Sequence, residues 1–193
     1  MRKVFVDFGM HNGQTLIKAM GDFTDFDLFI GLEPVKSLYE AAVKKTKNNN
    51  KVKLFNAAID NIPEKEKEIV FYEDTGRGNM QFGSSIMSDK KMKSNREIKA
   101  TCLGVVPFFQ GMFKEDDYIV LKLDIEGKEY DVLDGLIESG EISKVDKLYV
   151  EWHWRKVASI SKERHQTLVK KLQKLGLDIT GDRKKDEYYR GKA

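Results

Sequence analysis

A chain of 193 residues has the size of one domain and can bury roughly 70% of its unfolded surface. Its net charge of +3 is too small to mark a nucleic-acid binder, and no apolar run approaches the ~20 residues of a membrane span. One cysteine, Cys102, excludes an internal disulfide, and the start MRKVFVDFG reaches Asp7 without a signal peptide's apolar stretch, so a cytoplasmic protein is expected.

The first element is a strand over Val4, Phe5 and Val6, ended by Asp7. Gly9 and Gly13 form a turn, and Leu16 and Ile17 begin the apolar face of a helix. A strand, a glycine turn and a helix N-terminus make a cradle in which the backbone can approach a ligand closely. The glycines are four apart, which is not the G-x-G-x-x-G spacing that seats a pyrophosphate. A phosphate-free cofactor such as S-adenosylmethionine does not need that turn. Asp7 could then pair with its ammonium, directly or through water, and a turn amide could take its carboxylate. The bland alternative, an ordinary turn with a surface Asp, carries equal weight on this motif alone.

LFIGLE (28–33) is the second strand, stopped by Pro34, and Val35, Leu38, Tyr39, Ala42 and Val43 follow at helical spacing. VKLFNAAI (52–59) is the third strand. EIVFY (68–72) and EIKATCL (97–103) interrupt the alternation as two extra, antiparallel strands. The long aperiodic segment between them reads as a substrate cover. Its Met80, Phe82, Ile86 and Met87 imply packing, and Ser84 and Ser85 could bond a cofactor carboxylate or an acceptor hydroxyl. Lys90, Lys91, Lys93 and Arg96 could suit an acidic acceptor, although solvated charges are the better reading of the lysines.

YIVLKLDIEG (118–127) is a strand ending in acids, and Tyr130, Leu133, Leu136 and Ile137 mark the next helix. KLYVEWHW (147–154) is the fifth core strand. Ser161 caps a helix bearing Leu168, Val169, Leu172 and Leu175, which Gly176 ends. LDITG and EYYRG are short candidates for two last strands. The alternation predicts an α/β fold with a mostly parallel sheet, helices on both faces, and one domain over 1–193.

Ligands of open parallel sheets bind outside the carboxyl ends of the strands. Those ends carry Asp7, Glu33, Asn56, Asp124, Glu126, Glu151 and His153, five of them acids. Each acid taken singly could be a helix cap or first-turn charge. As a set they repel one another, which points to a use. An acid at the end of the second strand, Glu33, suits both hydroxyls of a ribose. Asn56, Ala57 and Ala58 would lie near the adenine.

The segments VDFGMHNGQT, LEPV at 32–35 and above all LKLDIEGKEYDVLDGL at 121–136 resemble the FkbM family of S-adenosylmethionine-dependent methyltransferases. K-x-D-x-E-G followed by E-x-x-V-L-x-G is that family's signature. GSSI at 83–86 and NAAID at 56–60 are similar to further family segments, so the resemblance spans residues 4 to about 154. EWHW, with His153, departs from the family pattern. The resemblance implies a Rossmann-like class I methyltransferase fold. Its sheet would have seven strands, the last antiparallel, and a strand pair inserted between the third and fourth core strands. It also implies methyl transfer, usually to a hydroxyl of a sugar or natural product. Asp7, Gly9, Asn12, Gly13, Glu33, Pro34, Asn56, Ala57, Ala58, Ser85 and Asp124 are the cofactor-binding candidates.

An alcohol acceptor must lose a proton, which needs a base or a metal near the methyl. His153, Asp124 and Glu126 are the catalytic candidates, with a packing role between Trp152 and Trp154 nearly as good a reading for His153. His11 reads better as a turn residue. Asp124 and Glu126 offer oxygen ligands to a divalent cation, although no dedicated ligand spacing marks a metal site. The expected partner is a glycan or small-molecule acceptor. RNA or protein acceptors, a nicotinamide-dependent oxidoreductase and a non-catalytic binding protein are the alternatives, the first disfavoured by charge and the oxidoreductase by glycine spacing.

Overall fold

The computed structural model describes residues 1–76, 83–92 and 94–180. In chain order the first half comprises β1 (Lys3–Phe8), α1 (Gln14–Asp22), β2 (Leu28–Leu32), α2 (Lys36–Thr46), β3 (Val52–Phe55) and β4 (Ala58–Asp60). The middle holds β5 (Glu66–Asp74), β6 (Asn95–Gly104) and α3 (Val105–Met112). There follow β7 (Tyr118–Leu123), α4 (Glu129–Ser139), a 3₁₀ turn (Glu141–Lys144), β8 (Val145–Val150), α5 (Lys162–Lys174) and β9 (Asp178–Thr180).

The main sheet has the order β9-β8-β7-β1-β2-β3, and every pairing in it is parallel. Its central strand, β1, is apolar on both faces because helices cover both. Val4, Val6 and Phe8 pack with α3, α4 and α5 residues such as Phe109, Leu133 and Leu168. Phe5 joins Leu16 and Ala19 of α1 and Ala42 of α2 on the other side. These features match the expected fold class. The six parallel strands account for all core strands among the described residues. The antiparallel seventh strand expected at EYYRG lies outside the described residues, as do Met80, Phe82 and Lys93.

The third strand differs from its sequence reading. VKLFNAAI is two strands in two sheets: Phe55 pairs with Leu32 in the main sheet, whereas Ala58 pairs with Cys102 in a smaller one ordered β4-β6-β5. Asn56 stands at the crossing. Its side-chain amide donates to the Glu33 and Pro34 carbonyls at 2.9 and 3.1 Å, taking the place of ladder bonds. The inserted pair, β5 and β6, is antiparallel as expected.

Helix α3 has no counterpart in the sequence reading. Its apolar run VVPFFQGM hides a helix because Pro107 falls in the first turn, where the missing N–H costs nothing. The Ser161 hydroxyl accepts from the Arg164 amide at 3.1 Å and caps α5, and Gly176 follows it in the left-handed conformation. Among the described residues no helix is long and apolar enough to cross a membrane.

Candidate active site

The carboxyl ends of β1, β2 and β7 open into a cleft of about 190 Å³. The turn after β1 forms one wall. A Cβ at Gly9 would stand 2.0 Å from the Asp124 carbonyl oxygen, so only glycine, here at φ +88°, lets the tips of β1 and β7 cross. His11 and Glu126 are the non-glycine residues with left-handed backbone among the described residues, and both line this cleft. Such conformations persist where the surroundings fix them.

Glu33 faces the cleft from the end of β2. One carboxylate oxygen accepts the Val35 amide at 2.8 Å and the other the His11 amide at 3.1 Å. Each oxygen keeps a further lone pair for a ligand. Burial, more than these two bonds can offset, pushes the Glu33 carboxyl up to about 7. Gly9, Asn12, Pro34 and Asp124 line the same cleft. Ala57 and Ala58 do so on the far side, together with Phe71 of β5.

Four of the cofactor-binding candidates, and the catalytic candidate His153, do not line it. Asp7 is fully buried beneath the turn, where Oδ1 accepts from Lys122 Nζ at 2.8 Å and Oδ2 has no hydrogen-bond partner among the described residues. Gly13 is needed for helix packing, since a Cβ there would meet the Ala42 Cβ at 2.9 Å. Asn56 is spent on the strand crossing. Ser85 turns inward: its hydroxyl donates to the Glu126 carbonyl at 2.7 Å and accepts from the Met87 amide. Of the two serines the sequence offered, Ser84 is the one on the cleft wall.

The segment 83–92 is sewn across the strand tips. Ser85 and Tyr72 exchange backbone hydrogen bonds at 2.8 and 2.9 Å, and the Lys91 amide donates to the Lys156 carbonyl at 2.9 Å. Ile86 packs with Val35, Leu38 and Phe71, and Met87 joins the main core. Lys90 is buried rather than solvated. Its ammonium lies 2.6 Å from Glu126 Oε2 and also donates to the Gly83 carbonyl.

Asp124, Glu126 and His153 come together at the ends of β7 and β8. His153 Nε2 stands 3.1 Å from Glu126 Oε2, 3.5 Å from Glu151 Oε1 and 3.8 Å from Asp124 Oδ1. Nδ1 of the same ring is 2.8 Å from Glu129 Oε1, and both groups are fully buried. Glu129 is itself fixed by the Ile125 and Gly127 amides of the turn after β7. Burial works against charge on His153, but the Glu129, Glu126 and Asp124 carboxylates outweigh it and raise its pKa. Burial likewise opposes a charged Glu126, yet His153 and Lys90 hold that carboxyl below its usual range. Trp152 and Trp154 pack on His165 of α5, leaving His153 to the acids.

Sequence reasoning missed Glu129 and Lys122. Glu129 was legible as part of the E-x-x-V-L-x-G pattern but not as the partner of a histidine 24 positions away. Lys122 lies in an apolar strand, and a lysine there signals a buried counter-ion.

The family model described as Methyltransferase FkbM domain matches residues 7–178. The crystal structure of methyltransferase FkbM from Methylobacillus flagellatus KT is similar with a TM-score of 0.54 at 12% identity. The likeness covers 92% of this chain and 38% of that one, so the chain spans less than two fifths of that protein's length, and it is a likeness of fold. No curated protein sequence matches the chain.

Proposed function

Because the chain belongs to the FkbM methyltransferase domain family, we propose that it moves a methyl group from S-adenosylmethionine to a hydroxyl of a sugar, glycan or small metabolite. The observation that carries this reading is Glu33, a buried carboxylate at the end of β2 whose two oxygens are each fixed by one backbone amide and face the cleft. That arrangement suits the paired hydroxyls of a ribose.

The donor set fits the rest of the cofactor. Asn12 Oδ1, on the cleft wall, is a buried acceptor without a hydrogen-bond partner among the described residues, and an ammonium is a donor. With Glu33, Asp124 and Glu126 also on the wall, the cleft would repel a diphosphate, which argues against a dinucleotide. Ala57 and Ala58 leave room for a flat ring, with Phe71 as an apolar neighbour.

When bound, the cofactor would supply a methyl on a sulfonium, a leaving group that needs no further activation. The chain's own work is then alignment, which can supply roughly 7–11 kcal/mol in favourable cases. The remaining task is removing the acceptor's proton. The corner formed by Asp124, Glu126 and His153 is where that proton leaves. Glu129 holds His153 by Nδ1 and turns Nε2 toward the two acids.

A thermal-shift and labelled-methyl experiment tests this. At roughly 100 times its dissociation constant, S-adenosylhomocysteine adds about 2.7 kcal/mol of stability. For a domain of this size the melting temperature should rise by roughly 5–11 °C, and NAD should leave it unchanged. Label from S-adenosylmethionine should appear in extracted glycans or hydroxylated metabolites. A shift with NAD and none with the methyl cofactor or its product would overturn the reading.

A further inference from the structure

We propose that Asp124, Glu126 and His153 form a binding site for a divalent cation of the manganese or zinc class. One ligand atom from each lies within 4.8 Å of the others. For metal–ligand bonds of roughly 2.1 Å, neighbouring ligands of an octahedral ion stand about 3.0 Å apart. The Glu126–His153 separation is 3.1 Å, and Asp124 at 3.8 Å needs a shift of a side chain that is only partly buried.

Acids at a strand edge do not by themselves make a site. The second observation is the histidine. His153 is fully buried, and its Nε2 is aimed into the acid pair without a hydrogen-bond partner among the described residues. Its other nitrogen is tied to Glu129, which is in turn tied to two backbone amides. A carboxylate behind a histidine is the usual way a protein fixes the tautomer and aim of a metal-binding imidazole. Two carboxylates and one imidazole suit an ion that accepts both oxygen and nitrogen, which favours manganese or zinc over calcium.

The charges agree. Five carboxylates, Asp7, Asp124, Glu126, Glu129 and Glu151, surround the corner together with three ammoniums, Lys90, Lys122 and Lys156. Acidic groups thus outnumber basic ones at the corner, which suits a cation. Lys90 shares Glu126 Oε2, so the ion competes with that ammonium, and binding should be of moderate strength.

Asp124 and Glu126 line the cofactor cleft, so open positions on the ion would face it. A hydroxyl oxygen of the acceptor in such a position would be acidified and give its proton to water. Its oxygen lone pair then forms the new C–O bond, while the C–S pair stays on sulfur as a neutral thioether. This role rests on the proposed methyl transfer; the ion site rests on its ligands.

The test is titration of chelator-treated, untagged protein with manganese. Free ion is followed by electron paramagnetic resonance and heat by calorimetry, with zinc as a second ion. One manganese should bind per chain. Asp124→Asn should weaken binding at least tenfold, and Glu129→Gln should weaken it about 10–100-fold through the aim of His153. Asp124→Asn is near-isosteric on a partly exposed group and keeps the test usable if Glu129→Gln fails to fold. No binding to the wild type by either ion, or binding that both folded variants leave unchanged, overturns the site. A melting shift with S-adenosylhomocysteine in the metal-free protein reports on the cofactor reading separately. That shift without ion binding sinks the cation site alone.

Discussion

Lys122 on β7 and Asp7 on β1 form a fully buried ion pair, Nζ to Oδ1 at 2.8 Å, directly beneath the candidate cleft. Asp124 lies 3.7 Å from the same ammonium. Burial opposes a charge on Lys122, but Asp7 and Asp124 together outweigh it and raise its pKa. The lysine therefore stays charged and joins the two strand tips that carry the site.

Removing that ammonium should be costly. Lys122→Met leaves a buried carboxylate without its partner, a loss of about 3–5 kcal/mol. Urea unfolding at pH 7.5 measures it. A loss below about 1 kcal/mol would mean that Asp7 takes up a proton instead and that the charge pair is not what holds the tips together.

Glu33 predicts a pH dependence of cofactor binding. Its folded value of about 7 lies above its ordinary 4.5, so the protonated form favours the folded apo protein. That contribution, about 3 kcal/mol at most, is complete below pH 4.5 and is lost as pH rises through about 7. Ribose hydroxyls donate to the ionised form, so affinity for S-adenosylhomocysteine should fall about tenfold from pH 8 to pH 6. Glu33→Gln should bind weakly with no such slope and should be the more stable apo protein at pH 8. Calorimetry across this range checks both, and a wild-type affinity flat with pH would remove Glu33 from contact with the cofactor.

Gly9→Ala should be severe. A Cβ at φ +88° and 2.0 Å from the Asp124 carbonyl forces β1 and β7 apart at their tips. A loss of at least about 3 kcal/mol is expected, with cofactor binding lost in any folded remainder. Near-wild-type melting would show that the tips separate freely.

Ser161→Ala tests the α5 cap away from the cleft. Losing the bond to the Arg164 amide should cost about 1 kcal/mol. The melting point should drop by roughly 2–4 °C with cofactor affinity unchanged. A variant with altered affinity would tie α5 to the site.

Periodicity carries the elements whose environment is uniform. β1, β7 and β8 read as buried strands because helices cover both faces, and the inserted β5–β6 pair is marked by its break in the alternation. The β3–β4 break was illegible because Asn56 bridges two strands through side-chain bonds to Glu33 and Pro34, partners more than 20 positions away. Helix α3 was lost to an unbroken apolar run with a proline. Within the site, residues at strand tips were readable by position alone: Glu33, Asp124, Glu126 and the turn at Gly9. Contacts made across the fold were not. Lys90 looked like one solvated lysine among several, and only folding of its segment against 156–159 buries it on Glu126.

β1 has one neighbour soon after it in the chain and the other far away: Val4 faces Leu28 on one side and Ile119 on the other. On a translating ribosome adding ~5–20 residues per second, the second neighbour arrives roughly 6–23 s after the first strand is made. Until then Asp7 waits without its lysine, and an open strand edge is exposed to passing chains. Pairings this distant also slow refolding in the test tube. The candidate cradle thus cannot take its shape until more than half of the chain has been made, and a chaperone that shields the early sheet edge would protect it in the meantime.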